Sequence, residues 1–211
     1  MLKESNPVGC FRLIVPFAAF LILLIPCVLR AEEAAPQQGI ETFLKTIRSM
    51  EFPIKDPARH TQLVSEANAF LDLDAMGEKS LGAHWQEASP EEQKNFLQFL
   101  WKLIEFVAYP RSTKFMGSYD ITYPKVEPAG SGFQVHSVIK QQAEGLDAPV
   151  EYHVYQKEGQ WKIDDIILDD VSIIQDLSGQ FDKIVKDSKF AGLLNKMRER
   201  LDQAKKENGA A

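Results

Sequence analysis

The chain has 211 residues, with 24 Lys and Arg against 30 Asp and Glu and a formal net charge of −6. Hydrophobic residues make up 45% and charged ones 26%, a globular balance that suits one domain and argues against a disordered chain. The acidic excess argues against a nucleic-acid partner and against adhesion to anionic lipid through surface charge.

Lys3 and Arg12 precede Leu13 to Leu29, a run without a charge, and small residues follow from Ala31. This is the pattern of a secretory signal peptide, so residues 1–31 are read as a signal and the rest as a periplasmic body. At 1.5 Å per residue the run spans roughly 26 Å, short for a bilayer core. Pro16 and Pro26 interrupt it; an uncleaved anchor is the alternative. The cleavage site is weakly marked, because Leu29 stands two positions before Ala31, and Pro26 disfavours a lipoprotein signal through Cys27. Both cysteines, Cys10 and Cys27, leave with the signal, so the mature domain has no thiol chemistry. The first thirty residues hold Lys3, Arg12 and Arg30 against Glu4, which leaves 21 basic and 29 acidic side chains beyond them, a net of −8.

The single mature domain, 32–206, reads as a helical part (40–116), a sheet (118–169) and C-terminal helices (172–206). Ile40, Phe43, Leu44 and Ile47 form a short amphipathic helix that Pro53 and Pro57 end. A second helix from Pro57 carries Leu63, Val64, Ala67, Phe70 and Leu71, and a third spans Ala75 to Leu81 before Gly82. Ser89-Pro90-Glu91-Glu92 is a capping box with Pro at the first helical position. The helix it opens is polar between Phe96 and Ala108 only at Gln98, Lys102 and Glu105. It must be covered on more than one side, by a sheet and helices and, in a functional reading, partly by a ligand. Pro110 is expected to break it.

Strands follow at Ser118–Glu127, Gly132–Gln141, Pro149–Gln156 and Gln160–Leu168, separated by turns at Pro128–Gly132, Glu144-Gly145 and Glu158-Gly159. One face of this sheet is apolar; the other carries Gln134, His136, Lys140, Glu151, His153, Lys162 and Asp164 and should be wet. In Gln160–Ser172 the period of two puts Asp165 and Ile167 with Trp161 and Ile163, on the apolar side. Asp169-Asp170 turns the chain, and Ser172 with Gln175 caps a helix bearing Ile173, Ile174, Leu177, Phe181 and Ile184. Ser188 caps a last helix; the polar end from Gln203 is read as frayed, with 207–211 a disordered tail. The class is therefore α+β, a four-stranded antiparallel meander packed by several helices, cone-shaped and NTF2-like, with an apolar cavity between sheet and helices.

Catalytic, metal and phosphate-loop signatures are missing, so no metal site and no cofactor is expected. His136 and His153 could meet across neighbouring strands but lack further ligands. Asp165 on an apolar face could be a general base of a small-pocket isomerase, or a structural carboxylate accepting from backbone amides or from a tyrosine such as Tyr109, Tyr119 or Tyr152. No second catalytic group is placed near it, which favours the structural role.

The order of short helices ending at Leu81-Gly82 and Trp85, the Ser89 helix, and Trp161-Lys162-Ile163, Asp165, Val171-Ser172 and Gln180-Phe181 resembles the MlaC, or toluene-tolerance, family of periplasmic phospholipid-binding proteins. Asp170 departs from the Gly usual there, and Asp tolerates the left-handed backbone such a turn requires. The resemblance implies a non-enzymatic shuttle, an ABC transporter auxiliary component that carries phospholipid between an inner-membrane transporter complex and an outer-membrane lipoprotein complex to maintain outer-membrane lipid asymmetry. A hopanoid or other hydrophobic ligand is the alternative cargo. Acyl chains would lie against Phe133, Val135, Ile139, Tyr152, Val154, Ile163 and Ile167 of the sheet, facing Leu100, Ile104 and Val107 and then Ile174, Leu177 and Phe181 of the helices. Arg111 and Lys114 would be the head-group contacts, with weak selectivity.

Overall fold

The computed structural model describes residues 25–116, 119–141 and 147–210. Most of the expected signal and the expected Glu144-Gly145 turn lie outside the described residues. Helix α1 (Ile25–Arg48) runs through Pro36 and is longer than the short helix expected around Ile40. Helix α2 (Pro57–Asn68) starts at Asp56, whose carboxylate accepts from the Ala58 and Arg59 amides at 3.0 Å, and α3 (Leu73–Leu81) ends at Gly82 as expected. After the short α4 (Ala83–Glu87), α5 (Pro90–Leu103) opens with the capping box formed: Ser89 Oγ accepts from the Glu92 amide at 3.3 Å, and Glu92 from the Ser89 amide at 2.9 Å.

Pro110 does not break this helix. A π-helical turn, Ile104–Ala108, widens the backbone just ahead of it, with the Tyr109 amide donating to the Ile104 carbonyl, and the helix continues as α6 (Tyr109–Met116). Proline cannot donate to the carbonyl four residues back, here Phe106. That carbonyl accepts from Asn208 Nδ2 at 2.9 Å. The end of the chain is thus packed where the sequence suggests fraying: helix α7 (Ile173–Glu207) is continuous to Glu207, Asn208 is buried, and its carbonyl accepts from the Ile54 amide at 2.9 Å. Within α7 the backbone leaves the helical region at Lys189 (φ 62°, ψ 176°), so the two helices expected on either side of Ser188 are arms of one kinked element. Gly192 permits the tight join, because a Cβ there would lie 2.4 Å from Ser188 Cβ.

The sheet has five strands rather than four, in the order β1 (Tyr119–Ala129), β2 (Gly132–Gln141), β3 (Asp147–Lys157), β4 (Gln160–Leu168) and β5 (Val171–Ser172). Neighbours pair antiparallel throughout. The added strand arises because Asp169 (φ 48°) and Asp170 (φ 64°) both take the left-handed backbone of a two-residue hairpin turn, which folds Val171 back onto Leu168. Beyond β5 the chain after α2 bridges β4's outer edge at Ile163: the Asp72 amide donates to the Ile163 carbonyl at 2.9 Å, and the Ile163 amide to the Phe70 carbonyl at 2.7 Å. No helix among the described residues is long and apolar enough to cross a membrane.

Candidate functional site

The inner face of the sheet is built by alternation. Val135, Ser137 and Ile139 of β2 and Val150, Tyr152 and Val154 of β3 are buried on it, and Phe133 packs beside them, its ring 5.7 Å from that of Trp161. Strand β4 follows suit at Ile163 and then changes phase. Val154 pairs with Ile163 but His153 with Asp165, so Asp164 is an extra residue in a β-bulge. From there the other parity faces inward: Ile166 pairs with Tyr152 and packs on the core, whereas Ile167 pairs with Glu151 of the outer face. Ile167 therefore does not line the apolar layer as expected, and Ile166 takes its place. One inserted residue exchanges every side chain beyond it between faces.

Asp165 moves with Ile167. Its Oδ2 accepts from Ser172 Oγ at 2.6 Å and its Oδ1 from the amides of Ile166 (2.8 Å) and Ile174 (3.3 Å), so it holds the start of α7. Its donors are backbone amides and a serine rather than a tyrosine. Tyr109 donates to Asn68 Oδ1 at 2.6 Å; burial, and Glu105 nearby, push its phenol well above the usual tyrosine range.

The helices covering the inner face are only in part those the sequence suggested. One apolar cluster joins it to Ile40, Phe43, Leu44 and Ile47 of α1, Leu63 and Ala67 of α2, Leu73 and Met76 of α3, Tyr109 and Ile174. Ile104 touches this cluster and a second one. That second cluster holds Leu100 and Phe181, with Leu177 alongside, against Leu81, Phe96, Leu193 and Met197. Val107 lies at a third, with Phe106 and Leu201. Leu100, Ile104 and Val107 thus do not form one line facing the sheet, because the π turn re-phases the helix and α7 covers much of it. Of the proposed lining, the structure brings Phe133, Val135, Ile139, Tyr152, Val154, Ile163, Ile174 and Ile104 together. The residues of α1 and α2 were visible as apolar stripes, but a stripe does not say which surface it meets. Arg111 and Lys114 are exposed on α6.

The outer face is only partly wet. His136 sits between Glu127 Oε1 (2.8 Å) and Glu151 Oε1 (3.0 Å), and Gln134 donates to Glu151 at 3.0 Å. Asp164, expected in water, is buried, paired with Lys79 of α3 and with His153 Nδ1. The other nitrogen of His153 faces the Ala129 carbonyl at 3.2 Å, so both ring nitrogens are engaged within the fold. Asp72 is bound by Tyr155 Oη and by Lys157 Nζ at 2.7 Å. Burial alone would raise its pKa, but hydrogen bonds from Lys157, Tyr155 and the Ala75 amide outweigh it and hold the carboxyl below the usual range. Among the described residues no group of three or more His, Cys, Asp or Glu could hold a metal ion.

Two clefts open at the margins of the apolar layer. One of about 280 Å³ lies beside Asp72, Trp101 and Lys157. The other, of about 320 Å³, lies between α1 and β1 and reaches Leu44, Ile121 and Tyr123 of the sheet-facing cluster.

The family model described as MlaC protein matches residues 37–199 of the chain. No curated protein matches it. Among solved structures, a phospholipid-binding protein from Ralstonia solanacearum, determined in complex with a phospholipid at 1.53 Å, superposes with a TM-score of 0.67. The match covers 82% of this chain and 98% of that one at 19% identity, a likeness of fold.

Proposed function

Because the chain belongs to the MlaC protein family, we propose that it is an exported carrier of phospholipid, holding acyl chains between the inner face of the sheet and the helices. The observation that carries the reading is the apolar face from Phe133 to Ile166, clustered with residues of α1, α2 and α3 and with Ile104, Tyr109 and Ile174. The likeness in fold to a protein solved with a phospholipid bound supports it. In this reading the helices part from the sheet to admit the chains, and the cavity is made by the ligand that fills it.

The physical need for such a carrier is large. Two acyl chains of about sixteen carbons cost on the order of 25 kcal/mol to expose to water, at about 0.8 kcal/mol per methylene. Crossing an aqueous compartment therefore requires a closed apolar container. The competing state is a membrane, so net affinity is small and direction comes from partners. We place those partners in the inner and outer membranes, with the carrier moving between them after loss of residues 1–31. The reading assigns no catalytic step to the chain.

Mass spectrometry of an organic extract from the purified protein tests the cargo. Phospholipid near one molecule per chain is expected; hopanoid in its place would select the other cargo, and an empty protein would sink the carrier reading. Intact mass in the soluble fraction tests export: a chain that keeps Leu13 to Leu29 and stays with membranes would contradict it.

A further inference from the structure

Three hydroxyl side chains interrupt the apolar inner face of the sheet, and they follow one another across β1, β2 and β3. On β2 the inward alternation runs Val135, Ser137, Ile139, and Ser137 is as deeply buried as its apolar neighbours. It pairs with Val150 of β3 and donates to the Val150 carbonyl at 2.8 Å. Tyr152, two residues along β3 and so on the same face, is buried with its hydroxyl beside that of Ser137. On the other side of Ser137 the register slips between Thr122 and Lys125, which sets Tyr123 and Pro124 of β1 opposite that one residue in a bulge. Tyr123 is half-buried against the same apolar cluster, and with Leu44 and Ile121 it also lines the cleft of about 320 Å³ between α1 and β1. Its hydroxyl makes no hydrogen bond among the described residues. Burial first, and then the charge of Glu41, push this phenol up to about 12, so it keeps its proton at neutral pH.

We infer that Tyr123 donates a hydrogen bond to an ester carbonyl of the bound phospholipid, and so sets the depth to which the acyl chains enter. The assignment rests on the carrier reading. A diacyl lipid is apolar along its chains and carries an ester carbonyl where each chain ends. Drawing such a carbonyl beneath the helices strips it of water, which costs free energy unless a donor in the protein takes the place of that water. Tyr123 belongs both to the apolar cluster and to the cleft at its margin, the boundary at which an ester must sit once its chain is buried. Phenylalanine would fill the same place in the apolar layer; the hydroxyl adds only a donor. The ester linkage is common to diacyl phospholipids of every head group, so this contact leaves the head group unselected. It discriminates instead against an ether-linked lipid of the same chain length, which occupies the same space and offers no carbonyl.

The test loads the full mature chain from vesicles of equal diester and diether phosphatidylcholine with matched chains, re-isolates it, and counts both lipids per protein. Wild type is expected to be enriched in the diester about fivefold, the weight of one net hydrogen bond. Tyr123→Phe is expected to return the ratio to that of the vesicles, with total lipid per protein unchanged. Thr122→Val, at the exposed neighbouring position on β1, is expected to keep the wild-type ratio. Infrared spectra of bound diester lipid labelled with carbon-13 at the carbonyls give a second readout that loss of packing does not mimic. The hydrogen-bonded carbonyl band seen with wild type is expected to move to the free-carbonyl frequency with Tyr123→Phe. A loaded wild type without ester preference overturns the assignment and leaves the carrier standing. So does a carbonyl band that ignores Tyr123→Phe, a ratio that responds equally to Thr122→Val, or a Tyr123→Phe protein that takes up no lipid at all. A wild type that takes up neither lipid overturns the carrier as well.

Discussion

The side-chain amide of Asn208 donates a 2.9 Å hydrogen bond to the carbonyl of Phe106, which lies four residues before Pro110, a residue with no amide hydrogen to donate. The same nitrogen also donates to the Ala204 carbonyl at 2.7 Å, at the end of α7. One residue at the end of the chain therefore completes both a helix terminus and a proline-interrupted helix 102 positions earlier. We predict that Asn208→Ala lowers stability by about 1–3 kcal/mol, the typical cost of an orphaned buried partner. Urea denaturation measures it; a loss within error of zero would mean that water replaces the amide freely.

Asp165 makes a comparable tie between β4 and α7. Asp165→Ala orphans Ser172 Oγ and the Ile174 amide, and a cost of about 1–3 kcal/mol is expected. Lipid per folded protein should be unchanged. A variant as stable as the parent that has lost a measurable turnover would instead show a catalytic carboxylate.

Val135 and Val154 are buried at the centre of the inner face. If acyl chains insert there, Val135→Trp and Val154→Trp fill the space they use. Each variant should fold, with an overpacking cost of at most about 1–3 kcal/mol, and copurify with little or no phospholipid. Folded variants that still carry a full lipid load would place the chains elsewhere.

His84 links α4 to α7. Its Nδ1 lies 3.1 Å from Glu87 Oε2 and its Nε2 3.0 Å from Asp182 Oδ1, and these hydrogen bonds, Glu87's first, raise its pKa above 6.5. The folded protein then holds the proton more tightly than the unfolded chain. The contribution is fully present below the unfolded value and fades as pH rises through the folded one. His84→Gln should therefore cost up to about 1 kcal/mol near pH 6 and close to nothing near pH 9. Equal losses at both values would mean that the ring acts by packing alone.

Local signals in the sequence were read correctly where the physics is local. The Ser89 capping box, the start of α2 at Pro57, the Gly82 stop and the strand alternation in β2 and β3 each depend on residues within a few positions of one another. The left-handed turn at Asp170 belongs with them, since the tolerance of Asp for that backbone is its own property. The family resemblance rested on such short-range features, and the family is the one shown.

What the sequence by itself determined is the type and order of the elements and which stripe of each is apolar. These follow from propensity, capping and periodicity, all short-range. Tertiary structure alone decided which stripes meet. Helix α1 packs on the sheet with α2 behind it, while α7 takes much of the α5 surface assigned to it. Parity reasoning failed beyond Asp164, because a bulge is set by the register of two strands and not by either one. Pro110 does not break the helix for the same kind of reason: a π turn precedes it, and the Phe106 carbonyl accepts from Asn208, near the far end of the chain. The α1–β1 cleft, too, joins residues some eighty positions apart, and apolar burial, being non-directional, leaves such pairings to be settled by the packing of the whole chain.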